Sequence, residues 1–159
     1  MLSKPMKTPF NAVLLIDDDE ATNFLNQMLL EDAGCALRID VAEGGRQALN
    51  FLTAANSGNL AAATDFPDLI LLDINMPAMD GWEFLDNCLL LFETAFANSR
   101  VIMLTTSANQ ADRERAETYA IVNGFETKPL THAIIEQIVQ QHRAAILEKA
   151  PDTLAVTIT

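Results

Sequence analysis

The sequence predicts an α/β domain in which helices cover both faces of a parallel sheet. Five short apolar runs recur along the 159 residues, and segments with helical spacing separate them. The first, third and fourth runs are continuous rather than alternating in polarity, which is typical of strands buried on both faces of a parallel sheet. Strand and helix therefore alternate five times, and this order favours a layered, doubly wound architecture.

The apolar runs are the predicted strands, and the segments between them are the predicted helices. The runs cover residues 12–16, 37–41, 69–72, 101–104 and, more weakly, 121–125. Apolar residues that recur three and four positions apart mark one face of a helix, which we expect to face the core. Such stripes are Phe24, Leu25, Met28 and Leu29 in the first helix, Trp82, Leu85, Leu89 and Phe92 in the third, and Ile134, Ile135, Ile138, Val139 and Ile146 in the last.

Length and composition indicate one domain over residues 10–147, with a disordered lead-in (1–9) and a C-terminal tail (148–159). Residues 54–66 read as a helix end followed by a flexible loop. Half of the residues are hydrophobic, yet no run approaches the roughly 18 apolar residues that a membrane span needs. Cys35 and Cys88 are too few for a disulfide framework, so we expect buried free thiols and a reducing cytoplasm.

The strong acidity of the chain disfavours one class of partner. The formal net charge is −12. Proteins that bind nucleic acids need clustered Lys and Arg to displace counterions from phosphate backbones. Direct binding of nucleic acid is therefore not expected.

Polar residues follow four of the apolar runs. Asp17 and Asp18 follow the first, Asp73 the third, Thr105 the fourth and Lys128 the fifth. In doubly wound folds, ligands bind outside the carboxyl ends of the strands. We therefore expect three carboxylates, a hydroxyl and an ammonium to converge there.

Three carboxylates in a small volume need a compensating cation. Two unit charges about 4 Å apart repel by roughly 4 kcal/mol at an effective dielectric constant near 20. Mg²⁺ is held by one or two carboxylates with phosphate oxygens and waters, and Lys128 adds a compact charge suited to phosphate. The pattern predicts a Mg²⁺-assisted phosphoryl site. Asp73, which follows the most apolar central run, is the predicted nucleophile. Metal binding, directly or through water, is the predicted role of Asp17 and Asp18.

Each position also has an ordinary structural interpretation. Asp-rich turns often cap helices, and Thr105 could cap the helix that starts near Asn109. Lys128 precedes Pro129, which favours a helix start. The coincidence of suitable residues at four separate strand ends favours the phosphoryl site.

Four motifs together make the chain similar to the receiver domains of two-component response regulators. They are Leu14-Leu15-Ile16-Asp17-Asp18-Asp19-Glu20, Leu71-Leu72-Asp73-Ile74-Asn75-Met76-Pro77 with Met79-Asp80-Gly81, Val101-Ile102-Met103-Leu104-Thr105-Thr106-Ser107, and Phe125-Glu126-Thr127-Lys128-Pro129. The resemblance covers residues 11 to about 143. It implies a flavodoxin-like (βα)5 fold with strand order 2-1-3-4-5.

The resemblance also implies the role of each site residue. Asp73 matches the phosphoacceptor and a metal ligand, and Asn75 matches the residue whose backbone carbonyl joins the Mg²⁺ shell with Asp17 and Asp18. Thr105 matches the switch hydroxyl, Lys128 the lysine that neutralises the phosphoryl oxygens, and Phe125 the switch aromatic. The implied protein is a single-domain response regulator that catalyses only its own phosphorylation and dephosphorylation.

The implied partners are a sensor histidine kinase or a histidine phosphotransfer protein, and an unknown downstream protein effector. A haloacid-dehalogenase-like phosphatase would need a second Asp where Asn75 stands. A flavodoxin would need a Gly/Ser/Thr-rich loop after the first strand, where residues 17–20 would repel phosphate. A receiver-fold interaction module that works without phosphorylation remains the alternative.

Overall fold

The computed structural model describes residues 8–57, 66–107 and 109–149. Its strands form one parallel five-stranded sheet with the order β2-β1-β3-β4-β5. These strands are β1 (Phe10–Ile16), β2 (Ala36–Ala42), β3 (Leu69–Asp73), β4 (Arg100–Thr105) and β5 (Val122–Thr127). The predicted α/β class and the strand order are confirmed.

Helices cover both faces of this sheet. They are α1 (Glu20–Ala33), α2 (Gly45–Ala55), α3 (Gly81–Leu91), α4 (Gln110–Glu117) and α5 (His132–Lys149), with a short 3₁₀ helix at Ala95–Asn98. One core cluster joins the sheet to α2, α3 and α4, and a second joins it to α1 and α5. Because both faces are covered, every residue of β3 is buried, which explains its continuous apolar run.

Helix α1 is oriented differently from the prediction. Phe24, Leu25 and Met28 are 64, 60 and 51% exposed, whereas Asn23 and Asn26 are buried. The predicted inward stripe is therefore wrong for these three residues, whereas its fourth residue, Leu29, is partly buried and packs against the core. The physical reason at Asn23 is that the inner side of α1 covers the polar turn after β1, where an amide finds a hydrogen-bond partner and an alkyl group does not.

The other apolar stripes are largely buried. Trp82, Leu85 and Phe92 face the core from the third segment. Ile135 and Ile138 do so from α5. The exceptions are Leu89 in α3 and Ile146 in α5, which are exposed.

Cys35 and Cys88 are buried free thiols, as predicted, and burial raises the pKa of each. No helix in the described ranges is long and apolar enough to cross a membrane. Residues 1–7, 58–65 and 150–159 hold most of the predicted lead-in, loop and tail, and they lie outside the described residues. Those three predictions stay predictions.

Candidate functional site

The register of the parallel strands brings the predicted site residues to one edge of the sheet. Ile16 pairs with Leu72, so the next residues, Asp17 and Asp73, leave neighbouring strands at the same level. Asp73 in turn pairs with Leu104, the residue before Thr105. Continuous apolar runs in β1, β3 and β4 thus position the polar residues that follow them.

The centre of the site is a cluster of three carboxylates with one ammonium. Oxygens of Asp17, Asp18 and Asp73 lie within 4.8 Å of one another. Lys128 Nζ is 2.5 Å from Asp17 Oδ2 and 3.3 Å from Asp73 Oδ1. Asp17 and Asp73 are buried, whereas Asp18 is exposed. One ammonium leaves an excess of negative charge, and this set of hard oxygen donors fits a divalent cation such as Mg²⁺.

Burial and mutual repulsion shift the ionisation of the central pair. Burial, followed by the nearby Asp17 charge, raises the pKa of Asp73 above its ordinary value, although Lys128 and the Asn75 backbone N–H oppose the shift. Burial alone would lower the pKa of Lys128, but its contacts with Asp17 and Asp73 outweigh this effect and raise it. Lys128 is therefore a permanent cation at neutral pH.

Both the carboxylate and the backbone carbonyl of Asp17 make hydrogen bonds, and Asp17 does not cap α1. Its Oδ1 accepts a hydrogen bond from the Asp19 N–H at 2.9 Å, and its backbone carbonyl accepts one from Asn23 Nδ2 at 2.8 Å. The N-cap position belongs to Asp19. Sequence reasoning missed Asn23, and the available signal was a polar residue placed among the apolar residues of α1.

A tight turn carries the chain from Asp73 into α3. The Gly81 N–H donates to the Ile74 carbonyl at 2.8 Å. A Cβ at Gly81 would lie 2.8 Å from the Asp73 carbonyl oxygen, so only glycine permits this approach. Asp80 caps α3 by accepting from the Glu83 N–H at 2.9 Å. Asn75 is exposed beside the acidic cluster, where the turn starts.

Thr105 ends β4 and is completely buried. Its Oγ1 accepts from the Ser107 N–H at 3.2 Å, and its carbonyl accepts from the Lys128 N–H at 2.7 Å. It does not cap α4, because Asn109 does so by accepting from the Asp112 N–H at 2.7 Å. The capping interpretation of Thr105 is therefore wrong.

Phe125 lies apart from the polar cluster, on the half-exposed edge strand β5. Its ring packs against the core on the side of α2, α3 and α4. The Arg113 guanidinium carbon sits 5.1 Å from the ring centroid, within the range of a cation–π contact. A helix α4 side chain thus lies against the aromatic side chain of β5.

A cavity of about 930 Å³ opens next to the carboxylate cluster. Its walls include Leu25 and Met28 of α1, together with Thr106 and Lys128. Thr106 is exposed at its rim. The cavity therefore joins the apolar outer face of α1 to the ammonium of the site.

Comparison with known proteins identifies related chains. The family model of the response regulator receiver domain matches residues 13–140. The alkaline phosphatase synthesis transcriptional regulatory protein SphR of Synechococcus elongatus is 30% identical over 109 residues, which are 69% of this chain and 40% of that protein. The sensor protein GacS of Pseudomonas syringae pv. syringae is 28% identical over 138 residues, 87% of this chain and 14% of that protein.

A solved structure shares both the fold and the sequence similarity. The two component response regulator from Cytophaga hutchinsonii superposes with a TM-score of 0.76 at 32% identity, covering 85% of this chain and 98% of that one. The chain spans less than half the length of SphR and of GacS. The family match, the strand order and the solved relative agree, and the chain belongs to the family of response regulator receiver domains.

Proposed function

We propose that this receiver domain accepts a phosphoryl group on Asp73 in a Mg²⁺-dependent step of a two-component phosphorelay. The observation that carries the proposal is the carboxylate cluster of buried Asp17 and Asp73 with exposed Asp18, in which Lys128 contacts both buried members. Such a cluster is complementary to a phosphoryl group, whose transfer depends on positioning and on charge stabilisation.

In the proposed step, a carboxylate oxygen of Asp73 attacks the phosphorus of a phosphohistidine. The P–N bond breaks, the imidazole leaves with the electron pair, and an aspartyl phosphate forms. Lys128 stays protonated and offsets the charge on the phosphoryl oxygens. The buried position of Asp73 limits competing water.

Asp17, Asp18 and Asp73 would hold Mg²⁺, with the backbone carbonyl of Asn75 as a further ligand. The ion supplies charge neutralisation for the phosphoryl oxygens during transfer. The remaining residues orient the acceptor: Lys128 pairs with Asp73, and the Gly81 turn fixes the backbone that follows it.

The output is proposed to depend on Thr105 and Phe125. The Thr105 hydroxyl shifts the hydrogen bond that it donates from the Ser107 carbonyl, 3.3 Å away, to a phosphoryl oxygen. Phe125 turns into the space that this loop vacates. A local change in charge then biases an element with two states. Arg113, which lies over Phe125, places α4 in the path of that movement.

The exposed apolar face of α1 (Phe24, Leu25 and Met28) is the proposed docking surface for the phosphohistidine donor. Leu25 and Met28 of this face line the cavity that reaches Lys128, so a helix seated there would bring its histidine towards Asp73. GacS, a relative named as a sensor protein, contains a segment similar to this chain. A sensor histidine kinase or a histidine phosphotransfer protein fits the donor role.

The downstream effector is proposed to be a protein rather than a nucleic acid, since the net charge of −12 repels phosphate backbones. A cytoplasmic location is part of the same proposal.

Intact mass spectrometry after incubation with acetyl phosphate and Mg²⁺ tests the acceptor. The wild type should gain one phosphoryl mass, and neither Asp73→Asn nor the wild type with EDTA should gain it. Persistence of the modification in Asp73→Asn would show that another residue is the acceptor. An unmodified wild type that also fails with a phosphohistidine donor would favour the phosphorylation-independent interaction module.

A further inference from the structure

The buried side of α1 carries two amides besides Leu30, at positions where an amphipathic helix normally carries alkyl groups. Asn23 is 3% exposed and Asn26 is 6% exposed, although Phe24 and Leu25 between them face outwards. Burying amides while exposing large apolar side chains is unfavourable unless the amides have a specific task. For Asn23 the structure shows one.

Asn23 Nδ2 donates to the backbone carbonyl of Asp17 at 2.8 Å, across six residues of sequence. That carbonyl belongs to the peptide that links Asp17 to Asp18. The same peptide sets the direction in which Asp18 leaves the backbone. A single buried hydrogen bond thus acts on both adjacent carboxylates.

Asp18 depends on this backbone more than its neighbours do. Lys128 and the Asp19 N–H hold the Asp17 carboxylate, and Lys128 also contacts Asp73. The Asp18 side chain makes no hydrogen bond or ion pair with any residue in the described ranges. Its position within 4.8 Å of the other carboxylates is therefore set by the main chain.

A second observation separates Asn23 from an ordinary structural amide. Its Oδ1 is buried and has no hydrogen-bond partner among the described residues. An unpartnered buried acceptor is a cost to the metal-free fold. Stability alone thus explains the burial of Asn23 poorly, whereas its hydrogen bond to the turn at Asp17 explains it well.

We infer that Asn23 is a positioning residue, which fixes the Asp17–Asp18 peptide and thereby orients the acidic pair towards a divalent cation. The inference rests on the proposed function, because it presumes that this cluster binds a metal ion. It concerns Asn23 in this chain and adds no ligand to the site.

The test compares Asn23→Leu with Asn26→Leu, a matched control that removes a buried amide from the same helix face without touching the acidic turn. Mn²⁺ is the probe, and the loss of its free-ion EPR signal counts bound ions. A hydrogen bond of ordinary net strength predicts a dissociation constant about three- to tenfold higher in Asn23→Leu. Asn26→Leu should stay within about twofold of the wild type by the same measure. If Asn23→Leu does not fold, Asn23→Ala replaces it.

The melting temperature in EDTA is the quantity that would change if Asn23 only stabilised the fold. The positioning role predicts melting temperatures in EDTA that are similar for the two Asn variants, with affinity lost only in Asn23→Leu. Wild-type affinity in Asn23→Leu, or equal loss in both variants, would overturn the inference. Asp18→Asn separates a failure of the Asn23 inference from a failure of the proposed metal site. If Asp18→Asn binds Mn²⁺ as tightly as the wild type, the proposed metal site itself is wrong.

Discussion

At the scale of single residues, Lys128 supplies the positive charge that partly offsets the carboxylates of the site. Its Nζ contacts both buried carboxylates, and removing one partner of a buried pair costs about 3 kcal/mol. We expect Lys128→Met to lower the free energy of unfolding by about that amount in EDTA, and by less with Mg²⁺, which can replace the lost charge. Urea denaturation monitored by circular dichroism measures both values. Lys149→Met, at the exposed end of α5, is the control, and equal losses with and without Mg²⁺ would contradict the prediction.

Asp73 is expected to weaken the metal-free fold at neutral pH. Burial, followed by repulsion from Asp17, raises its folded-state pKa above the unfolded value. The folded protein therefore binds this proton more tightly, and the stability associated with it is lost as the pH rises through the folded pKa. Asp73→Asn should raise the melting temperature in EDTA at neutral pH, with the gain shrinking towards acid pH. Calorimetry over a pH series measures this, and a gain independent of pH would argue against it.

At the scale of elements, α4 is the helix with the weakest apolar anchoring. Ala116 is its only buried residue, and Arg115 reaches across to α3, where its guanidinium carbon lies 4.6 Å from the Trp82 ring centroid. Tyr119, just after α4, stacks on the same Trp82 indole, with 5.8 Å between the two ring centroids. Aromatic and cationic contacts to one side chain therefore attach the end of α4.

We expect Arg115→Ala to lower the free energy of unfolding by about 1 kcal/mol, the strength of an exposed cation–π contact. Because Trp82 is the sole tryptophan, its emission should also change in the folded protein. Urea unfolding followed by fluorescence gives both quantities. Glu117→Ala, exposed on the same helix, should stay within about 0.5 kcal/mol of the wild type, and unchanged emission in Arg115→Ala would contradict the stacked arrangement.

The sequence was informative wherever burial is imposed by topology. Continuous apolar runs predicted β1, β3 and β4, and the residues after them predicted the carboxylate cluster, since parallel strands end at one edge. The same pattern failed for α1. Its inner face is set by the turn around Asp17, a tertiary contact that spacing does not reveal, and Asn23 was missed for that reason. The position of Arg113 over Phe125 also arises only in the folded chain.

At the scale of the whole molecule, the two faces of the sheet carry different exposed features. The face covered by α1 and α5 presents an apolar helix surface beside the cavity at Lys128. The opposite face carries α4, whose contacts reach Phe125 and Trp82. In the proposed function, the phosphoryl group therefore enters from one side of the sheet, and the switch acts on the other. The edge of the sheet that holds Asp73 lies between them.

Because the two surfaces are separate, we expect that docking of the phosphoryl donor can be impaired without altering the carboxylate site itself. Leu25 is 60% exposed on α1, so Leu25→Glu should change stability by no more than about 0.5 kcal/mol. We expect a glutamate in the centre of an apolar interface to cost about 1–2 kcal/mol of docking free energy. Phosphoryl transfer from a phosphohistidine donor should therefore slow about tenfold. Acetyl phosphate, which needs no docking surface, should label this variant at the wild-type rate.

Leu90→Glu is the matched control for that experiment, because Leu90 is 84% exposed on α3, on the opposite face of the sheet. Rapid-quench transfer from a phosphorylated histidine phosphotransfer domain that labels the wild type should distinguish the two variants. Equal slowing in both would reflect only the added negative charge. Slowing with acetyl phosphate as well would place the defect of Leu25→Glu in the acidic site, and the apolar face of α1 would then lose its proposed role as the donor surface.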